Sequence, residues 1–124
     1  MPTFRDQRGM VTAEAALVLP LIAAFGLVLL WMLSLGIAQI RAVDAARDAA
    51  RALARGDDRA AALSAAARSA PAGARVAFTE SAGTVTATVS AHVSPPSWLV
   101  VPLPSVDVES RSTVEVEPDG DLPR

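Results

Sequence analysis

Histidine, serine and carboxylate side chains are the groups in this sequence that could carry out catalysis, but their spacing does not form an active-site pattern. His92 is the only histidine, and it alternates with threonines in a predicted strand. This pattern predicts an exposed side chain rather than a metal ligand or general base. No serine lies in a nucleophile elbow, and the acidic tail lacks the alternating oxygen donors of a calcium loop. The sequence therefore predicts no enzyme, no cofactor, no metal site and no small-molecule substrate.

A different kind of chemistry is indicated near the N-terminus, where Glu14 opens a long uncharged run. A carboxylate costs up to about 3 kcal/mol at mid-membrane and less near the interface, so Glu14 either marks the membrane edge or has a specific role. Gly9 precedes it by five residues and follows Arg8. This arrangement resembles a class III signal peptide, which a prepilin peptidase cuts after the glycine on the cytoplasmic side. Cleavage would make Met10 the first residue and Glu14 the fifth.

The resemblance extends over about residues 1–55. The stretch RGMVTAEAALVLPLIAAFGLVLL resembles the N-terminal signature of TadE-like proteins, the minor pseudopilins of tight-adherence (Flp-type IV) pilus systems. The matching features are Arg8, Gly9, Glu14, the apolar run 15–19 and Pro20. Major pilins of these systems are very short and usually have an aromatic residue after the glutamate. Ala15 at that position, with a domain following, favours the minor subunit.

The resemblance implies a structural or assembly subunit whose partners are the membrane, the prepilin peptidase, and other pilins or pilus assembly proteins. It also implies that Glu14 pairs with the N-terminal amine created by cleavage, in the same or a neighbouring subunit. Removal of one member of such a pair leaves the other charge exposed to lipid.

The predicted element that positions these residues is a transmembrane helix over residues 10–40, preceded by a cytoplasmic leader peptide, residues 1–9. Residues 15–38 carry no charge, and about 20 apolar residues in a helix cross the hydrocarbon core of a bilayer. Pro20 removes one backbone donor and crowds the carbonyl of Ala16. We therefore expect a helix kink at Pro20.

Residues 41–70 are predicted to form an amphipathic helical region. Its narrow apolar stripe consists of Val43, Ala46, Ala50 and Leu53. A separate row consists of Arg47, Arg51 and Arg55, with Asp44 and Asp48 within i+3 reach of the first two. These charges form either a solvated face with weak ion pairs or a face that meets subunits or lipid headgroups. Gly56-Asp57-Asp58 predicts a helix end followed by a new N-cap.

Residues 71–124 are predicted to form a small β-rich domain with an acidic tail. Valines and alanines alternate with polar residues from Val85 to Val93, and a turn at Ser81-Ala82-Gly83 pairs this strand with an earlier one. We expect a third strand and a meander packed on the second helix. Between these strands a proline-rich loop carries Trp98, which is expected to fold onto the sheet or meet the membrane surface. The predicted fold class is α+β.

The chain is therefore predicted to cross the inner (plasma) membrane once, with its N-terminus in the cytoplasm and its domain outside the cytoplasm. The subunit either stays in this membrane or is incorporated into a pilus. Four arginines follow the span, whereas only Arg5 and Arg8 precede it. The positive-inside rule therefore opposes this orientation. A net charge of −2 with acids at the C-terminus disfavours nucleic-acid binding. The alternative functions are a generic signal-anchored membrane protein with an exported binding domain and a secreted protein released after Ala38, at a small-x-small site.

Overall fold

A long helix, a short helix and an antiparallel sheet make up the chain. The computed structural model describes residues 6–116, so residues 1–5 of the predicted leader and the predicted acidic tail from residue 117 lie outside the described residues. The elements, in chain order, are α1 (Asp6–Ala54), α2 (Arg59–Ser69), β1 (Arg75–Ser81), β2 (Thr84–Val93) and β3 (Val106–Glu115). The strands form one sheet in the order β1-β2-β3, with both pairs antiparallel. The predicted α+β class and β-meander are confirmed.

Helix α1 has two parts with different surroundings. From Met10 to Ile37 the side chains are exposed or half-buried, with Trp31 as the only buried one, whereas from Ala38 onward an alanine face is buried. A core helix of a soluble protein would be covered along its apolar stretch, and this one is not. The helix is long and apolar enough to cross a membrane. It continues through Pro20 without a break, and the kink there stays a prediction.

The end of α1 and the start of α2 follow the predicted signals. Gly56 has a φ of 87°, which costs glycine little because it has no Cβ. The Gly56 amide donates to the Leu53 carbonyl at 2.9 Å and the Asp57 amide to the Ala52 carbonyl at 3.1 Å, the bond pattern of a Schellman motif. Asp58 then caps α2, with its Oδ1 accepting from the Ala61 amide at 2.7 Å. The predicted stop and N-cap are confirmed.

The turn between β1 and β2 also follows its sequence. Ser81 pairs with Thr84, so the loop has two residues, Ala82 with a φ of 46° and Gly83 with a φ of 78°. Positive φ at both positions is the backbone of a type I′ turn, whose twist matches that of the flanking strands. Along β2, Val85, Ala87, Val89 and Ala91 are buried, as the alternation predicts.

The sheet packs against α1 through small side chains. The main core cluster joins five alanines of α1, one of α2 and two residues of β2: Ala42, Ala45, Ala46, Ala49, Ala50, Ala66, Ala87 and Val89. The prediction that the strands pack on the second helix is wrong about the main contact. Strands β2 and β3 lie on α1, and α2 packs on the same helix beside them. Alanine side chains let the backbones approach closely, so one helix can support both neighbours.

The predicted apolar stripe of α1 is only partly right. Ala46 and Ala50 are buried, but Val43 and Leu53 are half-buried, and the buried face is centred on alanines instead. Alanine carries little apolar area, so its pattern is weak in the sequence. The shape of the interface, rather than the size of each apolar group, determines which face is covered.

An Ala49→Leu variant is expected to lower the stability of the domain. Ala49 is 0% exposed, and adding methylenes to a packed core costs about 1–3 kcal/mol, which lowers the Tm of a small domain by roughly 5–15 °C. The measurement is heat denaturation of the full chain in detergent, followed by near-UV circular dichroism. The matched control is Ala61→Leu on the exposed face of α2, since alanine and leucine have similar helix propensity. Equal Tm values for the two variants would contradict the packing account.

Candidate processing and assembly site

Gly9 and Met10, the predicted cleavage residues, lie in the first turns of α1 and are exposed. The Thr12 hydroxyl donates to the Arg8 carbonyl at 2.9 Å, a contact that bridges the Gly9–Met10 peptide bond. Glycine is about 1 kcal/mol less favourable than alanine inside a helix, so Gly9 lowers the cost of unwinding this turn. A Cβ at Gly9 would meet nothing within 4 Å. The glycine is therefore not required by packing among the described residues.

Glu14 is exposed one turn further along α1. Residues four apart on a helix share a face, with Cβ atoms about 5–6 Å apart, so Glu14 and Met10 lie on one side of α1. Over residues 6–116 the Glu14 carboxylate forms no hydrogen bond and no ion pair with another side chain. This face therefore presents a carboxylate that the described part of the chain leaves without a charged partner.

Apolar side chains surround Glu14 and Pro20 and continue along the exposed part of α1. Those more than half exposed include Met10, Val11, Leu17, Leu19, Leu21, Ile22, Phe25, Leu29 and Leu30. They point in all directions around the helix, so no single face is reserved for the chain's own domain. An apolar surface of this kind is typical of a helix that spans a membrane or packs against other helices.

His92 and Asp107 face each other across β2 and β3 at the polar surface of the sheet. Nδ1 of His92 lies 2.6 Å from Oδ1 of Asp107, and the two side chains are 63% and 83% exposed. The predicted exposure of His92 is confirmed. Arg75 and Glu109 border the same shallow groove. Within the described range, no three His, Cys, Asp or Glu residues cluster closely enough to hold a metal ion.

The charges beside the arginine row are arranged differently from the sequence prediction. Asp48 accepts a hydrogen bond from the Ser69 hydroxyl at 2.9 Å, so it ties α1 to α2. Neither Asp44 nor Asp48 forms an ion pair with Arg47 or Arg51 in the part of the chain the structure describes. The expected i+3 pairs are therefore not formed. For Asp48 the reason is that it lies beside α2, where the Ser69 hydroxyl competes for it.

An apolar groove beside Trp31 was not predicted. The proline-rich loop, residues 94–105, returns along α1 instead of lying over the sheet. The groove holds about 420 Å³ and is lined by Leu27, Leu30, Trp31, Ser34, Val93, Ser94, Pro96, Trp98 and Leu99. Trp31 is 8% exposed beneath the loop, whereas Trp98 is 70% exposed at its outer rim. The lone tryptophan within the apolar run was the one sequence signal for this contact.

No protein-family model matches this chain, and no curated protein or solved structure matches it either. The resemblance to TadE-like proteins therefore depends on the motif of Gly9 and Glu14 and on the apolar run that follows it. The features of the chain that bear on function are the exposed helix, its first turns and the domain at its far end.

Proposed function

We propose that this chain is a structural or assembly subunit of a tight-adherence pilus or a related secretion system, a TadE-like minor pseudopilin that a prepilin peptidase cuts after Gly9. The observation that carries the proposal is the position of the Gly9–Glu14 motif. It opens a helix whose apolar surface is exposed on all sides and whose folded domain begins only near Trp31. A subunit of this shape can be stored in a bilayer and then packed through the same helix against other subunits.

The length of the exposed part of α1 supports this role. From Met10 to Leu30 the helix rises about 30 Å at 1.5 Å per residue, which equals the thickness of a hydrocarbon core. The domain begins where this length ends. One helix therefore serves both as a membrane anchor and as a rod that projects from the domain.

Glu14 has a defined electrostatic role in this proposal. After the cut, the amine of Met10 becomes the start of α1, and Glu14 lies one turn away on the same face. The N-terminal end of a helix is the positive end of its dipole, which favours a carboxylate within the first turn or so. In a low dielectric, Glu14 compensates the charged amine of its own chain or of an adjacent subunit.

We infer that the N-terminus lies in the cytoplasm, because the proposed peptidase cuts on the cytoplasmic side of the membrane. The four arginines that oppose this orientation lie on the part of α1 that supports the domain or directly after it, and all four are exposed: Arg41, Arg47, Arg51 and Arg55. Secretion after Ala38 is disfavoured by packing. Ala38 contacts Ala91 and Val108 in a core cluster, and Gln39 Nε2 donates to the Glu109 carbonyl at 3.1 Å, so a cut there would divide the domain core.

One experiment tests the cut and the orientation together. A phosphatase that is active only after export is fused after Arg124, and the membrane-extracted fusion is examined by mass spectrometry of its N-terminus. We expect an active reporter and Met10 as the first residue. The original start with an active reporter would indicate a generic signal-anchored protein. A first residue at Gln39 would indicate secretion, and an inactive reporter on a stable fusion would contradict the proposed orientation.

A further inference from the structure

We propose that the proline-rich loop, residues 94–105, is a second membrane contact that inserts into the lipid leaflet on the domain's side, with acyl chains filling the groove between Trp31 and Trp98. The proposal depends on α1 crossing a bilayer. It does not depend on processing, on pilus partners or on which side of the membrane holds the domain.

The position of the groove along α1 carries the argument. A hydrocarbon core takes about 20 helical residues, and the uncharged stretch covers residues 15–38. Any such window within that stretch includes Leu27, Leu30 and Trp31, three residues that line the groove, and a window from Met10 to Leu30 ends at the same groove. The loop therefore lies at the depth of the hydrocarbon core or at its edge whenever α1 spans the bilayer.

The composition of the loop suits this depth. Residues 94–105 carry no charge, and Trp98 and Val100 are 70% and 95% exposed. Tryptophan is enriched at membrane interfaces because its ring is apolar and its N–H is polar. Trp98 thus extends the apolar surface of α1 sideways, and the two surfaces are continuous at the groove.

The proline content of the loop reduces the number of backbone donors that insertion would leave without a partner. Irregular backbone is costly in lipid because its N–H and C=O groups lack partners. Four of the loop residues are prolines, Pro95, Pro96, Pro102 and Pro104, and proline has no N–H to leave without a partner. The Leu99 amide donates to the Pro96 carbonyl at 3.0 Å. The prolines and the Leu99 bond together account for five of the twelve backbone nitrogens of the loop, which lowers the cost of insertion relative to a loop without them.

Two contacts with the bilayer would define how the domain sits on the membrane. A single helix leaves the domain able to rotate about the helix axis and to tilt. The loop adds a contact on one side, next to the β2 end of the sheet, so rotation would remove Trp98 and Val100 from lipid. The loop thereby sets which face of the domain points away from the membrane.

The test uses the full chain, purified alone and reconstituted at one chain per nanodisc, with both faces of the bilayer open to solvent. Because the chain has no cysteine, Val100→Cys provides a single site for a membrane-impermeant maleimide. Ser64→Cys, on the exposed surface of α2, is the matched control. We expect Val100→Cys to be labelled at least about tenfold more slowly than Ser64→Cys in nanodiscs, which corresponds to about 1.4 kcal/mol of protection.

A second readout identifies lipid as the occupant. The chain has two tryptophans, so Trp31→Phe leaves Trp98 as the only strong fluorophore. We expect Trp98 to be quenched more by lipid brominated near the headgroup end of the acyl chain than by lipid brominated near the methyl end, and little by aqueous iodide. Equal labelling rates at the two cysteines, or quenching of Trp98 by iodide and by neither bromolipid, would overturn the proposal. Protection that appears only at several chains per disc would assign the groove to a second copy instead.

Discussion

A Gly9→Val variant is expected to accumulate in the membrane with its leader attached. In the proposed mechanism the peptidase cleft accepts the glycine backbone closely, and a branched side chain would displace the scissile bond. A displacement of about 1 Å costs on the order of 100-fold in rate. The intact mass of the extracted protein, compared with that of the wild type after equal expression times, measures the effect.

The structure makes Gly9→Val a clean test, because a Cβ at Gly9 meets nothing within 4 Å. Gly26→Val is the matched control: it makes the same substitution in the same helix, and its Cβ site is also empty within 4 Å. Gly26→Val should be processed at the wild-type rate. Normal maturation of Gly9→Val would remove the class III assignment, whereas a defect shared by both variants would indicate impaired insertion.

Replacing Glu14 by alanine is expected to abolish recovery of pilus-system partners while leaving insertion and cleavage intact. In the proposed mechanism, the variant leaves the new Met10 amine without its counter-charge in a low-dielectric environment. Breaking a buried ion pair by removing one partner is strongly destabilising, and we expect a loss on the order of a hundredfold in association. Glu14→Asp, shorter by one methylene, should show a partial loss. Cross-linking or co-purification at equal membrane abundance measures the effect.

Glu80→Ala is the matched control for Glu14→Ala, since it removes an exposed glutamate from β1 at the other end of the molecule. It should leave partner recovery unchanged. If Glu14→Ala recovers partners as well as Glu80→Ala does, Glu14 is an interfacial residue and the assembly role loses its main physical support.

Much of the fold could be predicted because its signals are local. The stop at Gly56 depends on one backbone conformation and two hydrogen bonds, and the cap at Asp58 reaches three residues along the chain. The turn at Ala82 and Gly83 and the alternation along β2 are equally short-range. Such features are decided by neighbouring residues, so period, turn chemistry and capping were enough to identify them.

The residues of the candidate site could also be identified from local sequence features. Gly9, Glu14 and the apolar run that follows are contiguous, and their helical spacing alone places Met10 and Glu14 on one face. The structure adds that Gly9 is not needed for packing and that the described chain offers Glu14 no partner. The sequence could not show this, because it depends on what lies around the helix rather than on the helix.

Sequence alone determined an uncharged helix long enough to span a bilayer, the break after it, and a three-stranded antiparallel sheet. Only the tertiary structure decided which surfaces meet. The sheet lies on the alanine face of α1, Gln39 reaches the Glu109 carbonyl across the fold, and residues 94–105 return to Trp31. These contacts join segments far apart in the chain, and they depend on the close fit of small side chains rather than on a strong apolar period.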